Sequence, residues 1–159
     1  MLIEIFCDGS SDGKSGGMAG WAYVICVDGV KVAEGAGQVS NASNNVAEVV
    51  GAIRGLDHVA TTDITGCTLH GDTEADGRVA GTDSEPKVVL ISDSQLTLRW
   101  ATGEYRCKKW HLIPYVIELR KALERLKATT RWVRGHSGNE HNERCDVLAK
   151  AAREGANGN

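Results

Sequence analysis

The sequence predicts an α/β protein built on one five-stranded mixed sheet, three antiparallel strands followed by two parallel ones, flanked by helices. Three observations lead there. The first 40 residues alternate short apolar runs with turn signals, the pattern of an antiparallel meander. The later apolar runs are separated by stretches with helical spacing, which places their strands parallel to one another in the same sheet. The chain has 159 residues, 42% hydrophobic and 25% charged, enough to bury one core without disulfide or metal staples.

Leu2 to Cys7 reads as a strand running into a loop at Asp8-Gly9-Ser10. A Gly/Ser-rich stretch leads to a second strand over Trp21 to Val27. Asp28-Gly29, set between Val27 and Val30, is a two-residue hairpin signal, and the partner strand runs to about Val39. Ser43-Asn44-Asn45 offers helix-capping side chains. Val46, Val49, Val50, Ile53 and Leu56 then recur at helical spacing, predicting a helix over about 44–60. Residues 61–86 are polar, acidic and too long for a routine connection, so they read as an insertion. Val88 to Ile91 is a buried-strand run ending at Ser92-Asp93-Ser94, and Gln95 to Thr102 a short helix closed by Gly103. Leu112, Val116, Leu119, Leu123 and Leu126 form one apolar helical stripe. Thr130 to Val133 reads as a strand, Gly135 to Gly138 as a loop and His141 to Glu154 as a helix. One domain over 1–155 is therefore expected, with 156–159 as a frayed tail.

Composition excludes several classes. No apolar run approaches the ~20 residues of a membrane span, and the start lacks the pattern of a signal peptide. Five cysteines without a C-x-x-C pair point to reduced thiols and a cytoplasmic protein. The net charge is −3, but it is unevenly spread: residues 1–98 carry −9, residues 99–134 carry +7 and the remainder −1. The basic stretch can attract a polyanion locally or simply form a solvated helix face. Trp100, Tyr105 and Trp110 lie among its charges and can stack on a base or serve as core.

Carboxylates mark the element ends. Asp8 and Asp93 close the first and fourth strands, and in α/β sheets functional groups gather outside the carboxyl ends of strands. As neighbours they repel, unless a hard dication with a preference for oxygen neutralises them. Turn capping explains either acid alone. Glu48 lies away from the middle of its helix's apolar stripe, beside Gly51, Ala52 and Gly55, so it need not be buried in hydrocarbon. Asp146 is on the polar side of the last helix, where an i,i+4 pair with Lys150 is the plain alternative. His136, in Gly-His-Ser-Gly, suits a proton-transfer group or an ordinary surface histidine.

Together these pieces resemble type 1 ribonuclease H, over almost all of the chain except the insertion. The resemblance rests on Phe6-Cys7-Asp8-Gly9-Ser10, Ser43-Asn44-Asn45-Val46-Ala47-Glu48 and Ser92-Asp93-Ser94-Gln95. Its most specific part is Trp132-Val133-Arg134-Gly135-His136-Ser137-Gly138 leading to Asn142-Glu143-Arg144-Cys145-Asp146. It implies a ribonuclease H-like fold and hydrolysis of the RNA strand of RNA–DNA hybrids to 5′-phosphate and 3′-hydroxyl products. Asp8, Glu48, Asp93 and Asp146 would bind two Mg2+ ions about 3.5–4 Å apart, with Mn2+ as a substitute, and His136 would assist product departure. Gly9, Ser10, Asn44, Asn45 and Gln95 would contact substrate. Ser43, standing where the family usually has threonine, keeps a hydroxyl for a DNA phosphate. Lys108, Lys109 and Trp110 would form a reduced version of the family's basic handle, and a monomer is expected.

Rival patterns are weaker. Gly9 to Ser15 has three residues between its glycines where a P-loop needs four, and a strand rather than a helix follows. Cys67 and His70 lack the remaining ligands of a zinc site. Ser10 or Ser94 with His136 lacks the G-x-S-x-G elbow of a serine hydrolase. Two readings within the resemblance stay open: a ribonuclease H-like module that binds hybrid or a partner without cutting, and the ribonuclease H domain of a reverse transcriptase.

Overall fold

The computed structural model describes residues 1–14, 16–64 and 85–155. In chain order the elements are β1 (Leu2–Ser11), β2 (Met18–Val27), β3 (Val30–Ser40), α1 (Asn44–Thr61), β4 (Lys87–Ser92), α2 (Gln95–Thr102), α3 (Ile113–Arg125), β5 (Thr129–Trp132) and α4 (Glu140–Gly155). One sheet carries all five strands in the order β3-β2-β1-β4-β5. β1, β2 and β3 pair antiparallel, whereas β4 and β5 join parallel to β1 and β4. The expected mixed sheet is what forms. Most of the insertion, the Cys67/His70 pair and the tail at 156–159 lie outside the described residues.

Strand alternation divides the interior. Ile3, Ile5 and Cys7 of β1 join Tyr23, Ile25, Val88 and Leu90 under α1, α2 and α3 in the larger core. Phe6, Ala22, Val24, Cys26 and Ile91 point the other way, against Cys145 and Ala149 of α4. Trp100 belongs to the larger core, and Tyr105 and Trp110 are exposed. The first two helices are started or stopped by local chemistry. The Ser43 hydroxyl accepts from Val46 N at the head of α1, and Ser94 does the same for Thr97 N at the head of α2. Gly103 ends α2 at φ 80°, the left-handed region that glycine enters without strain.

Two strand boundaries differ most from the sequence reading, and β2 starts at Met18, three residues before Trp21. β1 does not end at Cys7: Asp8, Gly9 and Ser10 continue it, paired with Ala22, Trp21 and Gly20 of β2. A ladder needs backbone groups rather than apolar side chains, and small residues suit this stretch because helices press on it from both faces. A Cβ on Gly9 would collide with the Glu48 backbone nitrogen of α1, and one on Gly20 with the Ala149 carbonyl of α4.

Helix α4 is fastened along its length to the antiparallel half of the sheet. Arg144 forms a two-pronged ion pair with Glu34 of β3, at 2.8 and 3.1 Å. Gln38 donates to the Ala152 carbonyl at 2.6 Å, and Arg153 donates to Ser10 Oγ and the Ser11 carbonyl at 2.8 and 2.9 Å. Gly20→Ala forces this helix off β2, and we expect it to cost about 2–3 kcal/mol in urea unfolding; an unchanged midpoint would show that the helix yields freely.

Candidate active site

The parallel register sets the site. Phe6 of β1 faces Ile91 of β4, and two residues further along each strand the chain reaches Asp8 and Asp93. Asp8 is buried within β1, and Asp93 follows the last residue of β4. Glu48 comes from the first turns of α1, pressed against Gly9. Ligand oxygens of Asp8, Glu48 and Asp93 all lie within 4.8 Å of one another. Among the described residues this is the one such group of His, Cys, Asp or Glu side chains.

Glu48 is buried, 7% exposed, despite standing off its helix's apolar stripe. The first half of α1 is enclosed nearly all round, from Val46 through Ile53, so an off-stripe position offers no exit to water. Its carboxylate is held at both oxygens: Asn44 Nδ2 donates to Oε1 at 3.1 Å and Thr97 Oγ1 to Oε2 at 3.3 Å. Asp8 Oδ1 accepts from the Gly9 N–H at 2.8 Å. Asp93 Oδ2 accepts from Asn142 Nδ2 at 3.4 Å, and the Asp93 carbonyl accepts from Trp132 Nε1 at 3.0 Å.

The cluster is electrostatically costly. Burial, then repulsion from Asp93, Glu48 and Asp146, pushes the Asp8 carboxyl from an ordinary 3.8 to about 8, against the pull of the Gly9 N–H. Burial, with repulsion from Asp93, raises Glu48 from 4.5 to about 6 although hydrogen bonds from Ser94 and Thr97 favour its charge. Such oxygens, with no nitrogen or sulfur donor among them, fit a hard dication of the magnesium or calcium type.

The other expected residues take varied positions. Asp146 is not one of the converging three; its carboxylate pairs with Lys150 at 2.9 Å, as its helical spacing allowed. It still lies near enough to raise Asp8. His136 is exposed at the crown of its loop at φ 54°. That loop is pressed close to the cluster at Gly135, where an added Cβ would sit 3.0 Å from Asp93 Oδ2. Gln95 and Asn44 are exposed and Asn45 half-buried around the carboxylates' helices. Ser10 is buried, its hydroxyl accepting from Arg153. Lys108, Lys109 and Trp110 are exposed, Trp110 at 83%. His111, next in sequence, lines a cavity of about 420 Å³ with Lys14, Asn41 and Ser43, on the side where α1 begins.

Three side chains around the acids had no role assigned by sequence reasoning. Thr97, Trp132 and Asn142 each hold a carboxylate-bearing residue. Asn142 was visible only as part of a motif; its buried Oδ1 accepts no hydrogen bond. Thr97 offered a weak signal, a polar residue in the first turn of a short helix between apolar neighbours.

The raised pKa values have a stability consequence. Below about pH 4, Asp8 and Glu48 are protonated in both folded and unfolded chains, and their contribution to stability is fully present. As pH rises the unfolded chain ionises first, so that contribution is lost up to about pH 6 for Glu48 and about pH 8 for Asp8. Asp8→Asn should therefore melt about 3–8 °C higher than the parent at pH 7 without added metal, the gap closing toward pH 4. Calorimetry across this range tests it, and a variant that melts lower at pH 7 would contradict the repulsion.

With the geometry in place, comparisons identify the family. The family described as RNase H matches residues 2–154. A ribonuclease H of Geotalea uraniireducens is 33% identical, the alignment covering 96% of this chain and 94% of that one. The fold is similar to RNase H1 of the halophilic archaeon Halobacterium salinarum NRC-1, with a TM-score of 0.74, 25% identity and coverage of 98% and 99% of the two chains. It is also similar to LC11-RNase H1 crystallised in complex with RNA/DNA hybrid, with a TM-score of 0.72, 24% identity and coverage of 97% and 98%. A match that spans the chain from the first strand to the last helix shows that it belongs to the ribonuclease H family.

Proposed function

We propose that this protein is an endoribonuclease that hydrolyses the RNA strand of RNA–DNA hybrids. The observation that carries the reading is the convergence of Asp8, Glu48 and Asp93 within 4.8 Å of one another in a poorly hydrated setting. Family membership supports the reaction class, and the hybrid bound to a protein of the same fold supports the substrate.

Asp8, Glu48 and Asp93 would hold a dication, and Asp146 would join them by releasing Lys150. Four carboxylates carry charge enough for two ions, of which Mg2+ suits all-oxygen donors and Mn2+ is the natural substitute. When bound, such an ion supplies Lewis-acid chemistry, withdrawing charge from phosphoryl oxygens and acidifying water. The chain's own residues do the rest. His136, free on its loop, would hold and pass a proton at its imidazole as the 3′ oxygen departs, leaving 5′-phosphate and 3′-hydroxyl ends.

Asn44, Asn45 and Gln95, with Gly9 and Ser10 beneath, would orient the hybrid's minor groove, where 2′-hydroxyls distinguish RNA from DNA. The Ser43 hydroxyl, at the head of α1, would take a DNA phosphate. Lys108, Lys109 and Trp110 lie exposed on the neighbouring segment and would extend that strand's path. Contacts of this kind go to sugars and phosphates, so sequence preference should be weak. We read the chain as a single-domain, monomeric, cytoplasmic protein. The four described cysteines are free and buried, and among the described residues no helix is long and apolar enough to cross a membrane.

The test is a cleavage assay on four substrates of one sequence: hybrid, single-stranded RNA, duplex RNA and duplex DNA. Cutting of the hybrid alone, in Mg2+ and not in EDTA, is expected; equal cutting of duplex RNA, or full activity in EDTA, would overturn the reading. Asp8→Asn should lower the hybrid-cleavage rate by at least about 100-fold while keeping the fold. A circular dichroism spectrum beside the single-turnover rate checks both halves of that statement.

A further inference from the structure

Thr97 is fully buried in α2, and a buried hydroxyl must find partners or cost stability. A threonine inside a helix usually satisfies itself by donating to a carbonyl of the preceding turn. The other two threonines in the described helices do so: Thr61 donates to the Asp57 carbonyl at 2.8 Å and Thr102 to the Arg99 carbonyl at 3.4 Å. Thr97 instead donates out of its helix, to Glu48 Oε2 at 3.3 Å. Its oxygen accepts from the Ser94 hydroxyl at 3.0 Å, and Ser94 Oγ accepts in return from Thr97 N at 3.2 Å. Ser94 and Thr97 thus form one hydroxyl pair beside the Glu48 carboxylate, and hydrogen bonding from both favours its charge.

The placement joins two parts of the cluster. Thr97 lies in the first turn of α2, four residues after Asp93, whereas Glu48 belongs to α1. Asp93 repels Glu48, and a carboxylate under that repulsion swings away unless something holds it. Asn44 holds Oε1, but it is exposed, belongs to the same helix as Glu48 and is open to water and substrate. Thr97, fully buried and backed by the half-buried Ser94, holds Oε2 from a different element. We infer that Thr97 is a positioning residue, which pins Glu48 beside Asp93 and so sets the affinity of the carboxylate cluster for its dication before any substrate arrives. This rests on the reading of the cluster as an ion site.

The test compares Thr97→Val, which keeps the shape and removes the hydroxyl, with Thr97→Ser, which keeps the hydroxyl. Calorimetric titration of the full chain with MnCl2 alone, without nucleic acid, gives the ion's dissociation constant. Thr97→Val should raise it about 3- to 10-fold, the worth of one ordinary hydrogen bond, and Thr97→Ser should stay within about twofold of the parent. The Mg2+ concentration for half-maximal hybrid cleavage should rise by the same factor in Thr97→Val, with KM for hybrid within about twofold. Equal ion affinity in Thr97→Val and parent, or an equal loss in Thr97→Ser, would overturn the inference, since packing alone would then explain Thr97. A parent chain that binds no Mn2+ would instead sink the ion-site reading and this inference with it. Should Thr97→Val not fold, Thr97→Ala against Thr97→Ser makes the same comparison by the same titration, with the same two outcomes deciding.

Discussion

Mutual repulsion among carboxylates deprived of water is the constraint on which this structure depends. Asp8 and Glu48 are buried, and Asp93 adds its charge to both. Nothing in an ordinary core asks for such an arrangement, and unfolding would relieve it. Its persistence needs a scaffold stiff enough to hold the acids together, and the parallel pair β1 and β4 supplies the first element of that stiffness. Two adjacent parallel strands deliver the side chains just past the end of their shared ladder to the same edge by geometry alone. The third acid arrives on a helix that touches β1 backbone to backbone at Gly9.

Around the acids lies a second ring of groups whose task is orientation. Each acid accepts a hydrogen bond from a neighbouring donor: the Gly9 N–H for Asp8, Asn44 and Thr97 for Glu48, and Asn142 for Asp93. These bonds offset part of the desolvation, and the pKa values of Asp8 and Glu48 remain raised in spite of them. The site is therefore partly neutralised by its own protein and leaves a deficit that an ion can fill. The indole of Trp132 and the close fit of Gly135 fix the strand end and the histidine loop in the same way.

Much of this was legible in the residue pattern, and the exceptions have physical causes. Turn dipeptides and apolar spacing located the hairpin at Asp28-Gly29, the helix after Ser43 and the strand before Ser92, because those signals are local. The run of β1 through Asp8, Gly9 and Ser10 was read as a loop, since its ladder is made by the backbone and leaves no apolar trace. Glu48 stands off the apolar stripe and is buried among polar partners rather than hydrocarbon, with the backbone of β1 and β2 close against its small neighbour Gly51. How fully it is enclosed is not legible, because a wheel describes one helix and not what is packed over its other side. Asp146 carried two readings from sequence, and its pairing with Lys150 is the one its spacing describes. The partners Thr97, Trp132 and Asn142 were hidden because a hydrogen bond between residues far apart in sequence has no local signature, and the bonds here span 49, 39 and 49 positions.

The fastening of α4 to the first hairpin gives the molecule a division of labour. Glu48 and Asp93 are carried by α1 and by the strand that follows it, whereas Asp146 rides on a helix bolted to all three antiparallel strands, through Glu34 and Gln38 on β3, the Gly20 contact on β2 and the Arg153 bonds to Ser10 and Ser11 on β1. The β2–β3 hairpin, which supplies none of Asp8, Glu48, Asp93 and Asp146, thereby helps to seat that helix. Asp146 thus takes its place from three strands at once, and Glu34 and Gln38 on the outermost of them grip the helix that carries it without touching Asp8, Glu48 or Asp93.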